Sequence, residues 1–171
     1  MQAARGAALT RRPAVLLVLV ALVTVALDAV TKALVVEHLE GKRTVHVLGD
    51  ALQLVVSRNS GAAFSFATGM TFVFTAVAVA VVVYVARILP RLQSLLWALS
   101  LGLIVGGAVG NLVDRLTRAP GFGKGAVVDF LYVPHFATFN VADSGITVGA
   151  VVAILLSFRG IEVDGTRKQA E

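Results

Sequence analysis

The sequence predicts a membrane protein: an all-α bundle of four transmembrane helices with a small extracytoplasmic β-sheet built from its two outer loops. Apolar residues make up 57% of the chain, and the mean hydropathy is +0.86, which is too high for a domain that must face water. Four apolar segments each approach the roughly 20 residues that a helix needs to cross a bilayer. Between them, alternating polar and apolar residues are typical of short strands.

Each predicted span is bounded by polar residues or by proline. The first follows a basic segment and resembles the start of a signal peptide, but its apolar run of about 23 residues exceeds the usual core of roughly 7 to 15. No small-residue cleavage site follows, so we expect a retained first helix. The predicted spans are residues 14–36, 70–88, 94–113 and 139–158.

Positive charges predict the orientation of these spans, because cytoplasmic loops carry an excess of Lys and Arg. Arg5, Arg11 and Arg12 precede the first span, and Arg87 and Arg91 lie in the short connection between the second and third. We therefore expect both termini in the cytoplasm. The predicted organisation is a cytoplasmic segment at residues 1–13, one transmembrane domain at 14–158 and a cytoplasmic tail at 159–171, polar and disordered from residue 160.

The outer loops contain three predicted strands. Residues 44–47 and 52–57 alternate and are separated by a Gly-Asp turn, which predicts a β-hairpin in the first loop. Residues 126–132 of the second loop could pair with it. We expect a sheet on the outer membrane surface, continuous with the bundle.

Composition also limits the chemistry. The chain has no cysteine, and therefore no disulfide, no thiolate nucleophile and no acylation site of its own. A net charge of +5 with a pI near 10.2 could suggest nucleic acid. The basic residues, however, sit in short clusters between apolar segments, so we expect membrane lipids as the partner and no nucleic acid.

Ionisable residues inside a span are costly and indicate a functional site by default. In the first span Asp28 and Lys32 are four residues apart with the acid first, the favourable order for an ion pair on one helix face. Two interpretations remain open: a structural pair that fixes this helix to a polar interior, or a pair that faces substrate.

The third span carries two stripes at four-residue spacing. The first consists of glycines, which let another helix backbone approach closely. The second ends on an arginine that either extends to lipid head groups or, with an asparagine one turn below, orders a polar site. The stripes are Gly102, Gly106 and Gly110, and Gly107, Asn111 and Arg115.

Three further polar residues lie where the second outer loop meets the membrane. Asn140 and Asp143 begin the fourth span, where they could cap the helix or belong to a site. Asp129 stands among apolar strand residues; it is either a solvated strand residue or one held against the membrane surface.

The residue inventory favours acid–base chemistry by two carboxylates. The three histidines are scattered over the loops, which disfavours a zinc site, and Ser60 has no evident base. Two aspartates near one membrane surface can act as a pair, one ionised to take a proton from water and one protonated to polarise a carbonyl. This arrangement needs no metal and no cofactor, and the sequence leaves open which aspartate holds the proton.

Five motifs resemble those of the lipoprotein signal peptidases (signal peptidase II), aspartyl membrane proteases of the A8 type. The resemblance covers almost the whole chain and keeps the motif order. The motifs are Asp28-Ala-Val-Thr-Lys32, Arg58-Asn-Ser-Gly-Ala-Ala-Phe-Ser65, Gly106-Gly-Ala-Val-Gly-Asn-Leu-Val-Asp-Arg115, Val127-Val-Asp-Phe130 and Phe139-Asn-Val-Ala-Asp-Ser144.

The resemblance implies a monomeric bacterial inner-membrane endopeptidase, open to inhibition by the cyclic peptide globomycin. It implies hydrolysis of prolipoproteins on the N-terminal side of the diacylglyceryl-modified cysteine, near the outer face. Asp129 and Asp143 would be the catalytic pair. The supporting residues that it implies are Asn59, Asn111, Arg115, Asn140, Asp28 and Lys32.

Two other classes of protein compete with this interpretation. A small transporter or proton-conducting subunit could use Asp28, Lys32 and Asp143 as a relay, but it would need polar groups through the whole bilayer, and the second span is apolar throughout. A structural scaffold would have no use for so many polar residues at one depth.

Overall fold

The structure is a computed structural model that describes residues 2–60 and 70–167, with side chains from residue 12 and from residue 71 onward in the two parts. Within these residues it contains four long α-helices: α1 (Gln2–Leu39), α2 (Met70–Ile88), α3 (Leu95–Thr117) and α4 (Val141–Phe158). Each includes a stretch long and apolar enough to cross a membrane. The predicted four-helix bundle is confirmed.

The loop between α1 and α2 and the segment between α3 and α4 form one antiparallel sheet. Its strands are β1 (Val45–His46), β2 (Gln53–Asn59), β3 (Val127–Val133) and β4 (Ala137–Phe139), in the order β1-β2-β3-β4. The hairpin and the joining strand were predicted. Strand β4 was not, and placing Phe139 in the fourth helix was wrong, because this residue pairs with Leu131 of β3.

Helix boundaries differ from the prediction where capping residues decide them. Ser94 caps α3, its hydroxyl accepting from Trp97 N at 3.4 Å, and the helix continues to Thr117. Asp114 and Arg115, which follow the predicted end of this span at residue 113, therefore lie within α3. Asn140 caps α4, which starts at Val141 directly after β4.

Helix α3 lies at the centre of the bundle. In its most apolar stretch 44% of the residues are buried, compared with 22% or less in each of the other three helices. Glycine makes this possible. A Cβ on Gly106 would lie 2.6 Å from Thr24 Cβ of α1, and one on Gly107 would collide with the carbonyl oxygen of Ala142 in α4. The predicted glycine stripe is confirmed as a close helix contact, because Gly102 and Gly110 also meet α1.

The chain after α4 forms an ordered turn. Ile161 pairs with Arg167, and the carbonyl oxygen of Val163 accepts from the amides of Gln93 and Ser94 before α3. Trp97 Nε1 donates to Ile161 O at 2.9 Å. The predicted disorder is wrong for residues 160–167, because Val163 packs against the apolar end of the α2–α3 hairpin; residues 168–171 lie outside the described part.

Candidate active site

Strand pairing brings Asp129 and Asp143 to the same place. Asp129 lies in β3, and Asp143 lies in the first turn of α4, which begins where β4 leaves the sheet beside β3. Asn140 contacts both residues: its Nδ2 donates to Asp129 Oδ1 at 2.7 Å, and its Oδ1 accepts from Asp143 N at 2.9 Å. One side chain therefore joins the sheet aspartate to the helix aspartate.

The capping interpretation also holds for the start of α4. Asn140 is the N-cap, and Asp143 Oδ2 accepts from Asn140 N at 3.2 Å, which completes a capping box. The predicted alternatives, a cap or a site residue, are thus not exclusive. The same hydrogen bonds that begin α4 fix the side chains of Asn140 and Asp143 beside Asp129.

Two further asparagines complete the hydrogen bonding of the carboxyl groups. Asn111 Nδ2 of α3 donates to Asp143 Oδ1 at 2.8 Å, and Asn59 Nδ2 at the end of β2 donates to Asp129 Oδ2 at 2.9 Å. Each of the four carboxyl oxygens accepts a hydrogen bond. Amides from α3, β2 and the α4 cap therefore define the positions of both groups.

Asp129 is enclosed, with 3% of its surface exposed, so it is not a solvated strand residue. Burial raises the pKa of Asp129 from its ordinary 3.8 to about 6. The hydrogen bonds from Asn59 and Asn140 lower the pKa, and the charge of Asp143 raises it further. Asp129 is therefore the kind of carboxyl that keeps a proton at mildly acidic pH.

Arg115 turns inward from α3, where 9% of it is exposed, so the head-group interpretation is wrong. Its guanidinium lies over the ring of Phe74, 5.4 Å from the ring centroid, and interacts electrostatically with Asp129 and Asp143. Its Nη1 atom is buried and has no hydrogen-bond partner among the residues that the structure describes. A buried donor of this kind is available to a ligand.

A cavity of about 360 Å³ opens beside these groups, between α2, α3 and the start of α4. Its polar wall contains Asp143 together with Asn59 and Asn111, whose amides donate to the two carboxyl groups. The remaining surface is apolar, which suits a ligand with both polar and apolar parts. The lining residues are Asn59, Phe74, Val77, Ala78, Val81, Ile104, Ala108, Asn111, Arg115, Asp143 and Ile146.

Asp28 and Lys32 form a buried ion pair, each 1% exposed, with Lys32 Nζ 2.6 Å from Asp28 Oδ2. Neither lines the cavity, so the structural interpretation of this pair is the one that the geometry supports. Lys32 Nζ also lies 2.9 Å from Asp114 Oδ2. Asp114, 3% exposed and further paired with Arg118 Nε at 2.5 Å, was missed in the sequence, where only its i, i+4 spacing to Arg118 could have indicated it.

The second motif is described only in part. Residues 61–65 of the second motif lie outside the described residues. Among those that are described, no group of three or more His, Cys, Asp or Glu residues could hold a metal ion.

Fold and site together define a multi-pass membrane protein with two hydrogen-bonded carboxyl groups at one end of its bundle. The sequence profile described as signal peptidase (SPase) II matches residues 20–159, and the chain belongs to this family of membrane proteases. The lipoprotein signal peptidase of Rhodococcus jostii (strain RHA1) is 52% identical over 162 residues, which are 95% of this chain and 82% of the relative.

Other comparisons agree with this family assignment. The lipoprotein signal peptidase of Streptomyces coelicolor (strain ATCC BAA-471 / A3(2) / M145) is 51% identical over 156 residues, covering 91% of this chain and 76% of the relative. A solved structure described as a bacterial membrane enzyme matches with a TM-score of 0.74 at 26% identity, covering 84% of this chain and 92% of that chain. The resemblance stated from the motifs is confirmed.

Proposed function

We propose that this chain is a lipoprotein signal peptidase that uses Asp129 and Asp143 as an aspartic catalytic pair. It hydrolyses prolipoproteins on the N-terminal side of the diacylglyceryl-modified cysteine. Family membership supports the activity, and the observation that carries the mechanism is the Asn140 side chain, which contacts both aspartates within 3 Å. No metal or cofactor takes part in the proposed reaction.

The two aspartates have different surroundings, which suit different roles. Asp143 lines the cavity at the N-terminal end of α4, which is the positive end of the helix dipole. In the proposal, ionised Asp143 takes a proton from a water molecule as the water oxygen attacks the scissile carbonyl carbon. We assign the proton of the pair to Asp129, whose burial raises its pKa to about 6, and this protonated carboxyl hydrogen-bonds the carbonyl oxygen.

The second half of the reaction returns the protons. The tetrahedral intermediate collapses, the carbon–nitrogen bond breaks, and the leaving amine takes the proton that Asp143 received. The products are the free signal peptide and the mature lipoprotein with its modified N-terminal cysteine. Asp143 is again ionised, and Asp129 has held its proton throughout.

The neighbouring polar residues hold the pair and the substrate. Asn59, Asn111 and Asn140 orient the carboxyl oxygens. The buried Nη1 of Arg115 is a donor with no partner among the described residues, and in the proposal it donates to a backbone carbonyl of the substrate. In the proposal Asp28 and Lys32 do not contact the substrate; they bind Ala142 N and Asn111, which lie next to the catalytic pair.

The substrate's lipid anchor fits the placement of the site. Its acyl chains would confine the cleavage point to the outer membrane interface, which supplies proximity. We place the sheet outside, residues 1–13 and 159–171 in the cytoplasm, and the peptidase domain at residues 14–158. The protein would act as a monomer in contact with membrane lipids.

Cleavage of a lipidated precursor by purified protein in detergent tests this function. We expect wild-type conversion to the mature form with or without chelator, inhibition by globomycin, and background activity for Asp129→Asn and Asp143→Asn at an unchanged fold. Asp50→Asn is a matched control, because this carboxylate is 92% exposed. Strong cleavage by either active-site variant, or loss of wild-type activity with chelator, would contradict the proposal.

A further inference from the structure

Lys32 uses all its donors on three groups from two helices. An ammonium has three N–H donors and no acceptor. Lys32 Nζ lies 2.6 Å from Asp28 Oδ2, 2.9 Å from Asp114 Oδ2 and 3.2 Å from Asn111 Oδ1. The ammonium is therefore fully engaged at a point where 1% of the residue is exposed.

The two aspartates bound to Lys32 each hold a second element. Asp114 Oδ2 accepts from the backbone amide of Val128 in β3 at 3.1 Å. Asp28 Oδ1 accepts from the backbone amide of Ala142 in α4 at 2.9 Å. Val128 immediately precedes Asp129 and Ala142 immediately precedes Asp143, so each contact fixes the backbone next to one of the proposed catalytic residues.

We infer that Lys32 is a positioning residue that sets the distance between the two catalytic carboxyl groups, acting through Asp28 and Asp114 as anchors. The inference rests on the proposed function, because the groups it positions are the proposed catalytic pair. The ammonium holds the two anchor carboxylates on either side of one nitrogen atom. The anchors in turn hold the strand that carries Asp129 and the helix that carries Asp143.

Lys32 and Asn140 together determine which way the Asn111 amide faces, since Asn140 Nδ2 also donates to Asn111 Oδ1, at 3.2 Å. Because the ammonium can only donate, it requires the oxygen of Asn111 on its own side. The nitrogen of the same amide then faces Asp143 Oδ1, to which it donates at 2.8 Å. Lys32 is thus also connected to Asp143 through the side chain of Asn111.

Burying three charges for packing alone would be a poor solution. Replacing a buried ion pair by apolar groups of similar volume is often neutral or stabilising, whereas removing one partner is strongly destabilising. Charged contacts instead provide defined directions and lengths. Since a misplacement of about 1 Å can cost roughly 100-fold in rate, such a fixed separation has catalytic value.

Lengthening one anchor by a methylene group tests this inference directly. Asp114→Glu keeps the charge and both acceptor oxygens but shifts the contact with Val128 N. We expect a folded protein whose kcat falls at least 10-fold while KM for the lipidated precursor changes less than threefold. Asp50→Glu on the exposed β1–β2 turn is the control and should cleave as the wild type does. A wild-type kcat for Asp114→Glu would overturn the inference.

A neutral version of the network provides an independent test. Lys32→Met alone would leave Asp28 as an unpaired buried carboxylate and Asp114 with only Arg118 as a charged partner. It is therefore combined with Asp28→Asn and Asp114→Asn, whose side-chain oxygens can still accept from Ala142 and Val128. We expect this triple variant to fold, with kcat reduced at least 10-fold. Full activity would show that the ammonium is dispensable and overturn the inference; should the triple variant not fold, Asp114→Glu decides.

The proposed function has its own readout in the same assay. If Asp129→Asn and Asp143→Asn still cleave, the catalytic pair itself is wrong. If they are inactive and the anchor variants have wild-type kcat, only the positioning role of Lys32 fails.

Discussion

Asn140 Nδ2 lies 2.7 Å from Asp129 Oδ1, and this contact joins the four-stranded sheet to the start of α4. The orientation of the Asn140 amide is not free, because its oxygen accepts from Asp143 N. The capping of a helix and the placement of two carboxyl groups are therefore one set of hydrogen bonds. Asn140, which has no exposed surface, therefore determines where both carboxyl groups lie.

The raised pKa of Asp129 predicts a pH dependence of stability. The folded protein holds this proton up to about pH 6, whereas the unfolded chain releases it near pH 3.8. The folded state thus binds more protons between these values, and the free energy of unfolding falls by about 3 kcal/mol as the pH rises through this window. Thermal unfolding from pH 4 to 7 should show a steeper decline for the wild type than for Asp129→Asn. Equal slopes would contradict this, and Asp50→Asn should follow the wild type.

Substitution of Gly107 should separate α3 from α4. The new Cβ of Gly107→Ala would collide with the carbonyl oxygen of Ala142 and lie 2.7 Å from Ile146 Cγ1. Such overpacking costs about 1–3 kcal/mol, and it displaces the helix turn that carries Asp143, so cleavage should also fall. Gly145→Ala is the matched control, because its nearest neighbours lie at 3.1 and 3.3 Å. Equal losses in the two variants would show that close approach is not the cause.

The absence of cysteine makes the membrane orientation easy to measure. Asp50→Cys places a thiol on the exposed β1–β2 turn, and Thr166→Cys places one on the exposed turn after α4. A membrane-impermeant maleimide should label the first in intact spheroplasts and the second only after permeabilisation. The reverse pattern would mean that the protein is inserted with the opposite orientation.

The turn after α4 should contribute to stability without affecting catalysis. Val163→Ala removes apolar contacts with the end of the α2–α3 hairpin and should cost about 1 kcal/mol. The value of kcat should not change, because Asp143 lies about 22 Å from the other end of α4 at 1.5 Å per residue. Val83→Ala, which is 41% exposed, should have a smaller effect on unfolding. A loss of activity larger than the loss of folded protein would argue against this separation.

Local periodicity was sufficient for much of the fold. Hydropathy predicted the four spans, and the four-residue spacing of Asp28 and Lys32 predicted an ion pair that the structure contains. The alternation in the first outer loop predicted the β1–β2 hairpin. These signals lie within a few residues of one another, where backbone geometry alone fixes which side chains meet.

Contacts between distant segments could not be predicted in the same way. The role of Asp114 cannot be recognised in the sequence, because its partners Lys32 and Val128 belong to other elements of the fold. Strand β4 has three residues, too few for a period to be visible. The turn after α4 is polar in sequence, and it is held by contacts of Ile161 and Val163 with the α2–α3 hairpin, which is distant in the chain.

The hydrogen bond from the amide of Ala142 to Asp28 spans 114 positions. During synthesis the first helix enters the lipid long before the fourth is translated, and in that interval Asp28 lacks this donor. The contact forms only after α4 has been made and has packed against α1. A chain that stops before α4 therefore leaves Asp28 without this donor and lacks Asp143 altogether.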